Sequence, residues 1–190
     1  GRVSVSRPAG ERMSRRRPQL LFVLGTRPEV LKLWPVLQAC HVDAVDVELV
    51  ATRQSEHLLM QMLDEFALTP EHVLPHFDDH PDRRLSGLTA HLLTFLAIVA
   101  DKVRPQVIVV QGDTTTAVAG ALTGFYRQTP VAHVEAGLRT STVRHPFPEE
   151  LNRRMIGQIA TYHFAPTPGA AANLWAAGVR EHVYVTGNPI

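Results

Sequence analysis

The chain of 190 residues is 45% hydrophobic and carries 12 glycines and 14 prolines. That is enough apolar material for one domain with a full core, and it excludes the disordered, collagen-like and disulfide-scaffold classes. A formal net charge of +1 argues against a nucleic-acid or anionic-membrane partner, since either needs a clustered basic surface, and the single cysteine, Cys40, favours a reducing, cytoplasmic setting.

Residues 1–18 are rich in arginine and serine, lack apolar periodicity and end near the run Arg15, Arg16, Arg17. They are expected to form a flexible basic tail. They hold no apolar stretch of the about 7–15 residues that a secretory signal needs. Nor does any apolar run approach the roughly 18 residues of a membrane span. From residue 19, short apolar runs rich in β-branched residues alternate with longer stretches of helical spacing. QLLFVLG (19–25) predicts a first strand and 28–40 a helix; VDVELVAT (45–52) predicts a second strand and 57–68 a helix, with a long helix following over 84–103. QVIVVQG (106–112), TPVAHVE (129–135), TYHFAPT (161–167) and EHVYVTG (181–187) predict further strands, separated by helices over 114–126, 148–159 and 169–176. The strand runs are continuous, the pattern of strands buried on both faces. The alternation predicts one α/β unit over 19–190, a three-layer αβα Rossmann-like domain with a parallel sheet.

Ligands of such sheets bind beyond the carboxyl ends of the strands, so polar residues that terminate the apolar runs are the site candidates. After the first run, Gly25 allows a tight turn, Thr26 can cap the next helix and Pro28 suits its first turn. A helix start attracts anions, and Arg27 and Lys32 add positive charge beside it. A phosphate site and a capped helix with two surface cations both fit, and Glu29 in the same turn shows that an acid is accommodated there. Asp113 follows Gly112 at the end of QVIVVQ, where an aspartate serves either as a helix cap or as a working acid. Glu135 ends the next run, so neighbouring strands would deliver both carboxylates to one sheet edge. Glu149 and Glu150 open a helix with Arg153 and Arg154 at pairing distance, which a solvated, salt-bridged helix start also explains. His72, His76 and His80 recur every four residues, but Pro75 and Pro81 break any helix that would align them, and no metal is expected. There is neither a Walker A loop nor a dinucleotide fingerprint, and no cofactor is expected.

GTRPEVLKLWPV, QGDTTTAVAGAL, VAHVEAGLRT, PFPEELNRR, HFAPTPGAAANL and VTGNPI follow one another in the order and spacing of the non-hydrolysing UDP-N-acetylglucosamine 2-epimerases. The chain resembles that family from about residue 19 to its last residue, and HVEAGLRT with PFPEE separates the group from its hydrolysing relatives. The resemblance implies the amino-terminal half of a GT-B fold, with the active site in the cleft between two Rossmann-like domains. The carboxy-terminal domain is then absent from this chain, and the fragment is expected to be inactive alone. The family interconverts UDP-GlcNAc and UDP-ManNAc by eliminating UDP to a 2-acetamidoglucal and adding it back, and a homodimer is expected by the same resemblance. By the motif match, Asp113, Glu135 and Glu149 correspond to the catalytic carboxylates, with Asp113 and Glu135 also binding substrate, and Arg27 and Lys32 correspond to basic substrate-binding residues. Which carboxylate is base and which is acid stays open. One stretch departs from the pattern. Where bacterial members carry a GQHRxM-like segment associated with allosteric UDP-GlcNAc binding, this chain reads TRQSEHLLMQML: Gln54 is kept, Ser55 stands where the histidine is expected, and His57 where a polar amide often lies. Gln54 and His57 are the candidate allosteric residues. The alternatives are an epimerase of a related UDP-amino sugar and a non-catalytic sugar-nucleotide-binding module.

Overall fold

A computed structural model describes residues 19–43, 45–78 and 81–190. The tail expected at 1–18 and His80 lie outside them. Among the described residues the strands are β1 (Gln19–Leu24), β2 (Asp46–Ala51), β3 (His72–Val73), β4 (Val107–Gln111), β5 (Val131–Val134), β6 (Tyr162–Ala165) and β7 (Val183–Val185). The helices are α1 (Arg27–Val42), α2 (Glu56–Glu65), α3 (Leu85–Val103), α4 (Thr115–Tyr126), α5 (Glu149–Ile159) and α6 (Pro168–Ala176). The strands form one parallel sheet in the order β3-β2-β1-β4-β5-β6-β7. The α/β Rossmann-like expectation is met, and the added strand β3 is too short for any periodicity to mark it.

Side chains of a strand alternate between faces, and both faces here are covered. Leu21 and Val23 of β1 join Leu92, Leu96, Val118 and Ile156 from α3, α4 and α5 in one core. Phe22 and Leu24 turn the other way, into a core with Val30, Leu33, Leu59 and Leu63 from α1 and α2. Among the described residues, α3 has the length and apolar content to cross a membrane, contrary to the expectation from the apolar runs. Ser86, Thr89, His91 and Thr94 interrupt the run while leucine, alanine and valine keep its average apolar. Its Leu88, Leu92, Leu96 and Val99 are buried in the first core, so that apolar face is used within the domain.

From β1 the chain moves to β2 on one side, and from β4 to β5 on the other, so these two central neighbours form the switch point where such sheets bind ligands. Gly25, just after β1, is not among the left-handed residues, so close approach explains it better than turn geometry does. A Cβ there would lie 2.1 Å from Thr116 Oγ1 and 2.7 Å from Thr52 Oγ1, two hydroxyls that hydrogen-bond each other at 2.9 Å. Gly25→Ala is therefore expected to destabilise the protein by about 1–3 kcal/mol, the usual cost of overpacking. Urea denaturation measures it, and an unchanged midpoint would show that α4 yields freely.

Candidate active site at the carboxyl edge of the sheet

Two turns and a strand end meet at the switch point. In the β1–α1 turn, Thr26 occupies the N-cap of α1, as expected, and Glu29 reaches back from the first turn. Its Oε2 accepts the N–H groups of Gly25 at 2.5 Å and Thr26 at 2.7 Å. Its Oε1 accepts the hydroxyl of Thr114 at 2.5 Å. Glu29 is thus a buried structural acid rather than a surface one. Burial raises its pKa, against the hydrogen bonds from Thr114, Gly25 and Thr26.

In the β4–α4 turn the cap of α4 is Thr114, whose hydroxyl accepts the Ala117 N–H at 3.0 Å. The capping role open to Asp113 is therefore taken by its neighbour. Gly112, with φ of 70°, makes the left-handed turn that throws Asp113 off the strand axis. Asp113 is held from α5: Asn152 Nδ2 donates to its backbone carbonyl at 2.8 Å, and Arg153 Nη2 lies 2.6 Å from its Oδ2. Burial is the largest influence on Asp113 and raises its pKa; the Arg153 charge opposes this, and the charges of Glu149 and Glu135 add to it.

Glu135, directly after β5, adopts a left-handed backbone with φ of 66°, a conformation that costs a non-glycine residue about 1–2 kcal/mol. Its side chain is fixed from two sides. Lys32 Nζ lies 2.8 Å and 2.6 Å from its two oxygens, and Gln111 Nε2 donates a short hydrogen bond to Oε2. Glu149 opens α5 half-buried and within electrostatic reach of Asp113. Its neighbour Glu150 is fully buried, accepting from the Thr140 N–H at 3.0 Å and Arg154 Nε at 2.7 Å. Burial pushes the Glu150 carboxyl up, but the bonds from Arg154 and Thr140 more than reverse this, and its pKa is lowered.

The structure therefore brings Lys32 to Glu135 and sets Asp113, Glu135 and Glu149 near one another, while Arg27 stays exposed at the start of α1. Gln54 is engaged elsewhere: its Oε1 accepts the Thr116 N–H at 3.0 Å and the Thr116 hydroxyl at 2.8 Å, in the first turn of α4. His57 is exposed on α2 and shares no hydrogen bond with it. His72 pairs with Glu48 at 2.6 Å, and among the described residues no cluster of three or more metal-ligating side chains forms. Gln111 and Asn152 were not singled out from sequence, and Arg153 only as a pairing partner for the acids of its own helix. A polar residue ending the buried run VIVVQ marks Gln111, and Arg153 sits four residues after Glu149, on the same helical face. An apolar groove of about 610 Å³, lined by Phe22, Pro35, Val109, Val134, Tyr162 and Phe164, contains none of these site residues. It offers little polar lining to orient a sugar nucleotide.

Under the site, His133 of β5 bonds the Gly112 carbonyl at 2.7 Å through Nε2, while its buried Nδ1 has no hydrogen-bond partner among the described residues. A carbonyl accepts only from a protonated nitrogen, so Nε2 carries a hydrogen. Burial drives its pKa down to about 4, with the charges of His163, Arg139 and Arg153 adding to this and the Gly112 bond opposing it.

A family model described as UDP-N-acetylglucosamine 2-epimerase matches residues 38–190. The chain is 41% identical over 174 residues to a UDP-N-acetylglucosamine 2-epimerase of Yersinia pestis, covering 90% of this chain and 46% of that protein. It is 41% identical over 172 residues to the Bacillus subtilis protein of the same description, covering 90% and 45%. Among solved structures, UDP-GlcNAc 2-epimerase from Neisseria meningitidis bound to UDP-GlcNAc superposes with a TM-score of 0.84 at 35% identity, over 90% of this chain and 47% of that one. The Methanocaldococcus jannaschii enzyme in complex with UDP-GlcNAc and UDP gives 0.82 at 37%, over 90% and 46%. The chain thus spans about half the length of the curated relatives it matches.

The His133 pKa sets a pH dependence. Between about 6.5, the ordinary histidine value, and about 4, the unfolded chain binds a proton that folded His133 does not. Stability is therefore lost as pH falls through that window, with a slope approaching about 1.4 kcal/mol per pH unit for one proton. In His133→Gln this part of the slope is expected to disappear. Urea midpoints taken from pH 7 to pH 4 check it, and parallel losses in the two proteins would rule His133 out as the source.

Proposed function

The chain belongs to the UDP-N-acetylglucosamine 2-epimerase family, and from that premise we propose that it is the carboxylate-bearing half of an isomerase that interconverts UDP-GlcNAc and UDP-ManNAc. The observation that carries the reading is the gathering of Asp113, Glu135 and Glu149 at the carboxyl edge of β4 and β5, next to Lys32. The reaction needs that equipment. A base removes the C2 proton, the C–H electron pair becomes the C1–C2 double bond of a 2-acetamidoglucal, and the bond from C1 to the diphosphate oxygen breaks. Return of a proton to the opposite face of C2 and of UDP to C1 gives the epimer. No electrons are gained or lost overall, so the reaction requires no redox cofactor.

The carboxylates carry the protons in this scheme, and the raised pKa of Asp113 moves it toward the range where a carboxyl exchanges protons near neutrality. Arg27, exposed at the positive end of α1, is suited to the diphosphate, while Lys32 sets Glu135. The remaining wall of the cleft would come from a second domain in a GT-B arrangement, and this half alone would be inactive. A cytoplasmic homodimer accords with the same reading. The departure at Ser55 and His57, with Gln54 kept, favours one variant, an epimerase acting on a related UDP-amino sugar without the usual allosteric response.

In the full-length protein, UDP-GlcNAc in D2O is expected to yield UDP-ManNAc with deuterium at C2, followed by NMR. Turnover of a different UDP-HexNAc alone would establish the variant, and no turnover of any would favour a binding module. Asp113→Asn is expected to lower turnover at least about a hundredfold, within the range for an acid–base group, while thermal stability stays close to the parent. A loss of stability with turnover intact would return Asp113 to a structural role.

A further inference from the structure

Glu149 and Arg153 are four residues apart on α5, the spacing of a surface helix pair, yet Arg153 does not close that pair. Its guanidinium crosses to another element, 2.6 Å from Asp113 Oδ2, with only 12% of the side chain exposed. Behind it, Nε lies 3.6 Å from Oε2 of the fully buried Glu150, an ion-pair distance without a hydrogen bond, and Glu150 is itself fixed by Arg154 and the Thr140 N–H. The preceding residue, Asn152, bonds the Asp113 backbone carbonyl at 2.8 Å. Two successive residues of α5 thus hold the main chain and the carboxylate of the same aspartate.

We propose that Arg153 is a positioning residue for the reaction, fixing the direction and the charge state of the Asp113 carboxylate. The inference rests on the reading of Asp113 as a working carboxylate. The charged groups facing Asp113 are Glu149 and Arg153 from α5 and Glu135 from the end of β5. Lys32 on α1 is committed to both oxygens of Glu135. Arg153 is therefore the paired cation that offsets burial and two neighbouring carboxylates. A tie that served stability alone would leave the pH profile of turnover unchanged on its loss, and a positioning role would not.

The full-length protein with Arg153→Gln and Arg153→Lys separates the two. In Arg153→Gln, the limb of the kcat/KM pH profile governed by Asp113 is expected to move up by at least about one pH unit, the usual effect of losing an opposite charge at this distance. Arg153→Lys keeps the charge and is expected to recover most of that shift. The titration of Asp113 itself, read by 13C NMR on carboxyl-labelled aspartate with Asp113→Asn as the assignment control, is expected to move in parallel. A profile and a titration that coincide with the parent, whatever the thermal stability, would overturn the proposal. If Asp113→Asn turns over normally, the catalytic reading of the site falls instead, and the NMR titration still decides whether Arg153 controls the charge of Asp113.

Discussion

The placement of both turns at the switch point depends on one buried carboxylate. Glu29 is out of contact with solvent, and among the described residues no cation pairs with it. A carboxylate in that position is costly unless its lone pairs are met. Here they are met by the N–H groups of Gly25 and Thr26 at the start of α1, and by the hydroxyl of Thr114 at the start of α4. Two helix N-termini directed at one acid also supply a favourable field. The Thr114 hydroxyl donates to Glu29 and accepts from Ala117, so it sets the relative position of the two helices. Asp113 precedes Thr114 directly. Its place relative to the Arg27 turn is thus fixed through a residue that takes no part in the proposed chemistry.

This explains which parts of the site were legible in the sequence. Runs such as QVIVVQ read correctly as doubly buried strands because helices cover both faces, and their polar ends mark the site because a parallel sheet delivers them to one edge. Partnership across the sheet was not legible. Glu29 reads as a first-turn acid on a surface helix until Thr114, 85 residues away, is brought against it. Lys32 reads as a free cation, yet Glu135 takes it from a distance of 103 residues. Arg153 fits a pair within its own helix, yet its guanidinium pairs with Asp113 on another element, which no local pattern encodes. The cap of α4 was one residue off because aspartate and threonine are both good caps, and the left-handed Gly112 decides which of them faces the helix.

The charges around the site bear on its chemistry. Asp113, Glu135 and Glu149 face two paired cations, Lys32 and Arg153, so among the described residues one carboxylate of the group is left without an ion-pair partner. Closely spaced carboxylates bind protons as a set rather than one by one. A set with one uncompensated charge can take up a single proton with less electrostatic cost than a balanced one, which is the capacity that proton removal at C2 requires. The same imbalance makes this wall unfavourable for a departing diphosphate, which brings further negative charge. Within this chain, a group suited to that charge is Arg27, exposed at the start of α1. In the proposed reaction the proton and the diphosphate are therefore handled at separate places.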